Sequence, residues 1–343
     1  MATEAVEVEV AGREVRVTNP SKVFFARSGI TKLDIVNYYL SVMPGALMGA
    51  RERPTTMYRW PNGVEAPDDA FYQKRTPSHR PEWLATTTIR FPSGRSAEMP
   101  VVADAAHIVW LLNLGCLDIN PWPVRRSDVD RPDELRIDLD PTPGIPFSDA
   151  RKVAMCAQSV LDDYGLAGFP KTSGKRGIHI YVRIEPEWDF TEVRRAALAL
   201  AREVERRVPD IATTAWWKEQ RHGVFVDYNQ NARDRTIASA YSIRPVSDAR
   251  VSCPLLWSEV EDVEPEELNI STVGPRVEKL GDAGAAIDDS PGRLDSLLEL
   301  AARDEREGLG DAPWPPHFPK AKSEPPRVQP SRRKKAQPRD TST

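Results

Sequence analysis

Along this chain apolar residues alternate with polar ones in short stretches and recur every third or fourth position in longer ones. The two rhythms predict different elements. Alternation predicts strands over residues 6–18, turned at Ala11-Gly12, and over 55–60, 70–75 and 86–91, with turn residues between them. Thr31 followed by Asp34 has the form of a capping box and predicts a helix over 31–48. Asp104 is placed to cap another helix, whose apolar positions include Ile108, Leu111 and Leu112. Helical periodicity returns over 147–164, 191–208 and 294–303. Three further alternating stretches, 134–140, 177–185 and 223–229, each pair an apolar face with a chemically active one. In the first, Leu135, Ile137 and Leu139 point into a core while Arg136, Asp138 and Asp140 point out together. In the second, Ile178, Ile180 and Val182 oppose His179, Tyr181 and Arg183; in the third, Val224 and Val226 oppose Phe225 and Asp227. Such strands predict an α/β (α+β) fold, with helices packed behind central mixed or antiparallel sheets and an open polar face.

Composition narrows the class. The 343 residues suffice for one large domain or two medium ones, and 40% apolar with 29% charged residues is ordinary for a globular protein. No apolar run reaches the roughly 18 residues of a membrane span. The acidic, alternating N-terminus lacks the form of a secretory signal. Cys116, Cys156 and Cys253 are far apart, which argues against disulfides or a zinc site and fits a reducing cytoplasm. The net charge of −4 hides an asymmetry: residues 320–343 carry eight Lys or Arg against two acids, which leaves −10 on the rest. A body so acidic attracts nucleic acid only through local basic patches. We place a catalytic domain at 1–305, with an N-terminal part to about 130, a catalytic part at 131–260 and a C-terminal wrap at 261–305. A basic, Pro-rich, disordered tail follows at 306–343.

Asp138 and Asp140 on one strand face repel each other unless a divalent cation is shared between them; a solvated strand edge is the plainer alternative. Asp227 supplies a third acid from another strand, the number that two-metal phosphoryl transfer calls for. The segment Ser173–His179 (SGKRGIH) offers two glycines, Lys175 and His179 to a phosphate, or is a β-turn with solvated cations. It is not a P-loop. Gln230 and Arg244 suit phosphate oxygens. Phe71 and Tyr72 suit base stacking or a core. Asn19, Lys22 and Lys32, beside a helix N-terminus, would make a phosphate pocket or a solvated basic surface.

In order along the chain, these motifs resemble the archaeo-eukaryotic primase-polymerase superfamily. They are Asn19-Pro-x-Lys22, RWPNGV from Arg59, FYQK from Phe71, Trp110-Leu-x-Asn113-Leu, Asp138-Leu-Asp140-Pro, Ser173-Gly-x-x-Gly-x-His179 and Val226-Asp-Tyr-x-Gln-Asn231. The chain is most similar to the polymerase domain of bacterial end-joining ligase D and its stand-alone actinobacterial relatives, over residues 6–290. The resemblance implies an RRM-like catalytic module and a template-dependent nucleotidyltransferase, with Asp138, Asp140 and Asp227 holding two Mn²⁺ or Mg²⁺ ions. It assigns Arg59, Ser173, Lys175, His179, Gln230 and Arg244 to the incoming NTP, and Phe71 and Tyr72 to its base. Asn19, Lys22 and Lys32 fall to the 5′-phosphate of gapped or broken duplex DNA. Asn120 stands where many relatives have His, and Arg221 falls one residue short of an arginine that positions template or primer. Ribonucleotide preference, Mn²⁺ stimulation, gap filling in base excision repair or end joining beside a separate ligase or end-binding protein, and a bacterial cytoplasmic, nucleoid-associated location complete the expectation. A two-metal nuclease or phosphohydrolase, and a non-catalytic RRM-like binding module, are the rival readings.

Overall fold

The computed structural model describes residues 4–315 and Phe318; the basic stretch 320–343 lies outside the described residues. β1 (Ala5–Val10) and β2 (Arg13–Thr18) form a hairpin, and β3 (Val23–Phe25) and β4 (Ile30–Thr31) another. Ala11 and Gly12 both take positive φ, 51° and 69°, as a two-residue turn between right-twisted strands requires. α1 (Lys32–Ser41) opens on the expected capping box, with the Thr31 side chain accepting from the Asp34 amide. The single helix expected to 48 is two helices. The chain breaks at Val42 and restarts as α2 (Met43–Ala50), because Pro44 has no N–H to donate and is tolerated only in a first turn.

β5 (Thr55–Arg59), β6 (Phe71–Gln73) and β9 (Cys116–Pro121) form a three-stranded sheet in the order β6-β5-β9, and β7 (Thr86–Arg90) pairs with β8 (Ser96–Pro100). α3 (Ala105–Asn113) lies between β8 and β9 in sequence; Asp104 caps it by accepting from the Ala106 amide at 2.9 Å. The catalytic half is built on β10 (Glu134–Pro141), α4 (Phe147–Asp163), β11 (Gly168–Thr172), β12 (Ile178–Arg183), α5 (Phe190–Arg207), β13 (Ala212–Thr213) and β14 (Val224–Asp227). Its sheet runs β11-β12-β10-β14-β13, antiparallel except for β13-β14. Pro170 sits in the edge strand β11, where a missing N–H costs least. α4 and α5 pack behind β10, where Leu135, Ile137 and Leu139 are buried. α6 (Val273–Leu280) and α7 (Asp295–Arg306) complete the described elements; α7 and residues 309–314 lie along α5. The part of the expected tail from 306 to 315 is therefore packed structure. Most of its bonds to α5 come from backbone carbonyls, which composition does not reveal, and one from the Asp311 carboxylate.

The other face of β10 changes character along its length. Arg136, expected to point to solvent, is fully buried. Its Nε donates to Glu134 Oε1 at 2.7 Å and its Nη2 to the Pro121 carbonyl at 3.0 Å. Arg53 makes a two-pronged contact with Asp133 at 2.6 and 3.0 Å, and Arg183 reaches Glu134 at 3.1 Å. Burial pushes the Glu134 carboxyl up, but Arg53, Arg136 and Arg183 outweigh it and bring it down to about 2. This ionic cluster joins the two halves of the molecule. Removing one partner of a buried ion pair costs about 3–5 kcal/mol, so Glu134→Gln is expected to lower the urea midpoint at pH 7 accordingly. Because the folded pKa lies below the ordinary 4.5, Glu134 stabilises fully above pH 4.5 and loses that contribution as pH falls toward 2. The wild-type–variant difference in urea denaturation should therefore shrink on acidification across that window; a constant difference would contradict the ion-pair account.

Candidate active site

Farther along β10 the polar face opens. Asp138 pairs across the sheet with His179 on β12 and with Asp227 on β14, and Asp140 lies opposite Phe225. Directly paired residues share a face, so the three carboxylates and His179 line one surface. His179 Nε2 lies 3.5 Å from Asp138 Oδ1, Gln230 Nε2 donates to Asp138 Oδ2 at 3.1 Å, and Asp227 Oδ1 accepts the Asn229 amide at 2.8 Å. Burial first, then the charges of Asp227 and Asp140, push the Asp138 carboxyl up to about 7. Burial also raises that of Asp227. Among the described residues, no three His, Cys, Asp or Glu side chains are already gathered around a metal-sized space. The aspartates are neighbours by strand register, as expected.

His179 is held from behind by Lys171, which sequence reasoning missed. Lys171 Nζ reaches His179 Nδ1 at 2.7 Å, the Ala238 carbonyl at 2.8 Å and Ser252 Oγ at 2.6 Å. With Lys171 donating to Nδ1, the imidazole proton falls on Nε2, toward Asp138. Burial, then Lys171 and Arg244, keep His179 well below its ordinary pKa, hence neutral. Lys171 sits directly across from His179 in the β11–β12 ladder; its place two residues before Ser173 was the available signal.

The SGKRGIH loop serves itself first. Ser173 Oγ accepts from the amides of Lys175 at 3.1 Å and Gly177 at 3.0 Å, so these amides turn inward and do not form the expected phosphate nest. The glycines answer to packing. A Cβ on Gly174, at φ 68°, would stand 2.3 Å from Arg244 Cγ, and one on Gly177 would stand 2.2 Å from the Leu139 carbonyl oxygen. The Lys175 side chain is exposed. Arg244 Nη1 lies 3.4 Å from Asp118 Oδ2; the other oxygen of this buried carboxylate has no hydrogen-bond partner among the described residues. Asp118 was also missed, although a lone acid in the apolar run Cys116–Pro121 was visible. Asn120 is buried, with its amide on the Asp118 carbonyl at 3.3 Å. Arg221 stacks 3.4 Å over Phe225, within electrostatic reach of Asp227 and Asp140.

Phe71 and Tyr72 are both exposed, at 44% and 64%, so neither belongs to the core. They do not form one stacking pair, because successive strand residues point to opposite faces. Tyr72 lies opposite Tyr58 and stacks on it at 4.1 Å and 8°, within electrostatic reach of Asp118 and Arg244. Phe71 lies opposite Arg59, whose guanidinium is 5.4 Å from its ring. Arg59 also donates to the Leu114 carbonyl at 3.0 Å and to Gln73 Oε1 at 2.9 Å. It is therefore placed away from its expected partners and close to Lys32. Lys32 is buried, with Nζ on the carbonyls of Thr18 at 2.7 Å and Asn113 at 3.0 Å. Burial, then Lys22 and Arg59, lower its pKa to about 8. Lys22 Nζ donates to the Pro61 carbonyl, and Asn19 takes a left-handed φ of 50°. The first amides of α1 donate to the Lys22 and Pro20 carbonyls, so the expected anion site at this helix N-terminus is spent on the fold. The lysine side chains remain.

Comparison with known proteins identifies the family and the fold. The family described as "LigD, primase-polymerase domain" matches residues 31–283. The multifunctional non-homologous end joining protein LigD of Mycolicibacterium smegmatis is 32% identical over 281 residues, which cover 81% of this chain and 36% of that protein. The bifunctional non-homologous end joining protein LigD of Bacillus subtilis is 31% identical over 271 residues, 78% of this chain and 43% of that protein. The chain thus spans less than half the length of these relatives. Among solved structures, the polymerase domain from Mycobacterium tuberculosis ligase D in complex with DNA matches with a TM-score of 0.75 at 30% identity, covering 81% of this chain and 99% of that one. The chain belongs to the LigD primase-polymerase family.

The split of the aromatic pair makes a kinetic prediction. Stacking a base on an aromatic side chain is worth about 1–3 kcal/mol, so Tyr72→Ala is expected to raise the KM for nucleotide about tenfold while Phe71→Ala changes it less than about twofold. Steady-state extension of a primer–template measures both; equal losses would show that strand alternation does not separate their roles.

Proposed function

We propose that this chain is a template-dependent polymerase of DNA repair that adds nucleotides, ribonucleotides by preference, to a primer 3′-hydroxyl at short gaps or breaks in duplex DNA carrying a 5′-phosphate. The observation that carries the reading is Asp138 flanked in register by Asp227 and His179, with Asp140 beside it at the open end of a charged face. The donor set fits a divalent cation: three carboxylates with hard oxygen donors lie on one face, and burial, then the charges of Asp227 and Asp140, raise Asp138. Asp138, Asp140 and Asp227 would hold Mg²⁺ or Mn²⁺, which when bound supplies acidity to the attacking hydroxyl and neutralises charge on the triphosphate. Lys175, Gln230 and Arg244 bind the phosphate oxygens with charge-assisted or amide donors, and Ser173 shapes the loop that carries Lys175. His179 directs its Nε2–H toward the same space. Tyr72, backed by Tyr58, offers the base a flat surface. In-line attack by the primer hydroxyl on the α-phosphate then releases pyrophosphate, with positioning as the main contribution of the protein.

Asn19, Lys22 and Lys32, with Arg59 beside them, form the candidate 5′-phosphate pocket on the far side of β6. The names of the relatives support a role in end joining; gap filling in base excision repair beside a separate ligase or end-binding protein is the other cellular setting. Either places the protein in the bacterial cytoplasm near the nucleoid. No helix among the described residues is long and apolar enough to cross a membrane.

Incubation with labelled primer–template, Mn²⁺ and single NTPs tests the reading, since extension supports a polymerase and shortening a nuclease. Asp140 is the exposed member of the three, so Asp140→Ala is expected to cut extension by at least about 10²-fold with DNA affinity nearly unchanged; retained extension would remove it from the site. A second prediction concerns pH. Lys32 is charged below about 8 and neutral above it. The extra affinity conferred by a downstream 5′-phosphate should therefore fade between pH 7 and 9, and Lys32→Arg should abolish that dependence. Anisotropy with phosphorylated and unphosphorylated gapped duplexes measures it; a flat wild-type profile would count against the pocket.

A further inference from the structure

Behind the candidate site, a short 3₁₀ turn, Tyr228–Asn231, follows Asp227 directly and carries Gln230. Its alternate residues are anchored on two sides. Asn231 exchanges hydrogen bonds with the backbone of Arg136 on β10, at 2.8 and 2.7 Å. Asn229 is held from the opposite side by Arg194 of α5, whose Nε donates to Asn229 Oδ1 at 2.7 Å. Asp227, just before these anchors, accepts from the Asn229 amide, and Gln230, between them, donates to Asp138.

Arg194 is buried and depends on the C-terminal segment for nearly all its other contacts. Its Nη1 donates to Asp311 Oδ1 at 2.8 Å, and its Nη2 donates to the carbonyls of Ala312 and Pro313 at 2.9 and 3.2 Å. Its guanidinium lies between two rings, 4.1 Å from Trp314 and 5.2 Å from Tyr228. Trp314 Nε1 donates to Asp311 Oδ2 at 2.8 Å, the Pro313 carbonyl also accepts from Asn229 Nδ2 at 3.4 Å, and Arg202 holds the Leu309 and Gly310 carbonyls. These residues lie beyond the matched family region, which ends at 283.

We propose that residues 309–314 are a strap that positions the catalytic turn, with Asp311 and Trp314 acting through Arg194 and Asn229 to fix Asp227 and Gln230. A guanidinium sealed between two rings with its donors occupied has one resting place. Without the strap it is left buried with three donor contacts missing, and it must move or hydrate. Either change frees Asn229, and the carboxylate of Asp227 loses the amide that orients it. The hydrogen bonds of the strap go to α5 and to Asn229 and, among the described residues, to none of Asp138, Asp140, Asp227 or Gln230, so its residues are positioning residues and not catalytic ones. This rests on the reading of Asp227 as a site residue.

The test uses the full chain carrying Trp314→Ala, Trp314→Phe, Asp311→Ala or Asp227→Ala, measured by single-turnover extension at saturating NTP, by DNA affinity and by melting temperature. Trp314→Ala and Asp311→Ala are expected to slow nucleotide addition about ten- to a hundredfold, the scale on which small misplacements act, with DNA affinity within about twofold. Trp314→Phe, which keeps a ring on the guanidinium, should restore the rate to within about threefold of wild type. An unchanged rate in both alanine variants would overturn the proposal. So would rate and DNA affinity falling together with melting temperature, which marks a general structural role. If Trp314→Ala does not fold, Asp311→Ala carries the same test. Full activity in Asp227→Ala would instead overturn the site reading, whatever the strap variants do.

Discussion

A single strand that carries charge along one entire face can exist in a folded protein only if every charge is answered. β10 meets that constraint in two ways. At its first residues, Glu134 and Arg136 are sealed among Arg53, Asp133 and Arg183, and the arginines outweigh the cost of burying the acids. At its last residues, Asp138 and Asp140 have no comparable set of cations, and burial with mutual repulsion drives Asp138 upward. The same strand is thus satisfied at one end and left wanting at the other. The unsatisfied end is where a cation and a polyphosphate would complete the electrostatics. The ionic cluster also joins the N-terminal half to the central sheet, so the strand that holds the carboxylates is the one on which both halves depend.

The elements legible in the sequence were those set by neighbouring residues. The Thr31–Asp34 capping box, the Asp104 cap, the Ala11-Gly12 turn and the three functional strands all declared themselves through spacing of a few residues. The break before α2 was equally local, since Pro44 was in plain view, and a helix drawn through it overlooked the missing donor. β11 and the short strand β13 lacked a strong period and escaped notice, and α6, only eight residues long with Gly274 and Pro275 inside it, was missed as well.

What the sequence concealed was tertiary pairing. Lys171, Asp118 and Arg194 look like any other charged residues until β12, Arg244 and the strap are brought to them. Phe71 and Tyr72 read as a pair because they are adjacent, yet adjacency on a strand is what separates them. Residues 309–314 read as tail because carbonyl oxygens, which every residue has, make most of their bonds to α5.

The tight quarters around Gly174 and Gly177 have one more meaning. Any side chain at either position drives into Arg244 or into the backbone of β10, so the shape of this loop is locked to the sheet beneath it. The exposed positions between them, Lys175 and Arg176, are under no such restraint. Across descendants of this sequence, the loop is free to change what it attracts while keeping the place from which it attracts it, so affinity can drift without disturbing alignment.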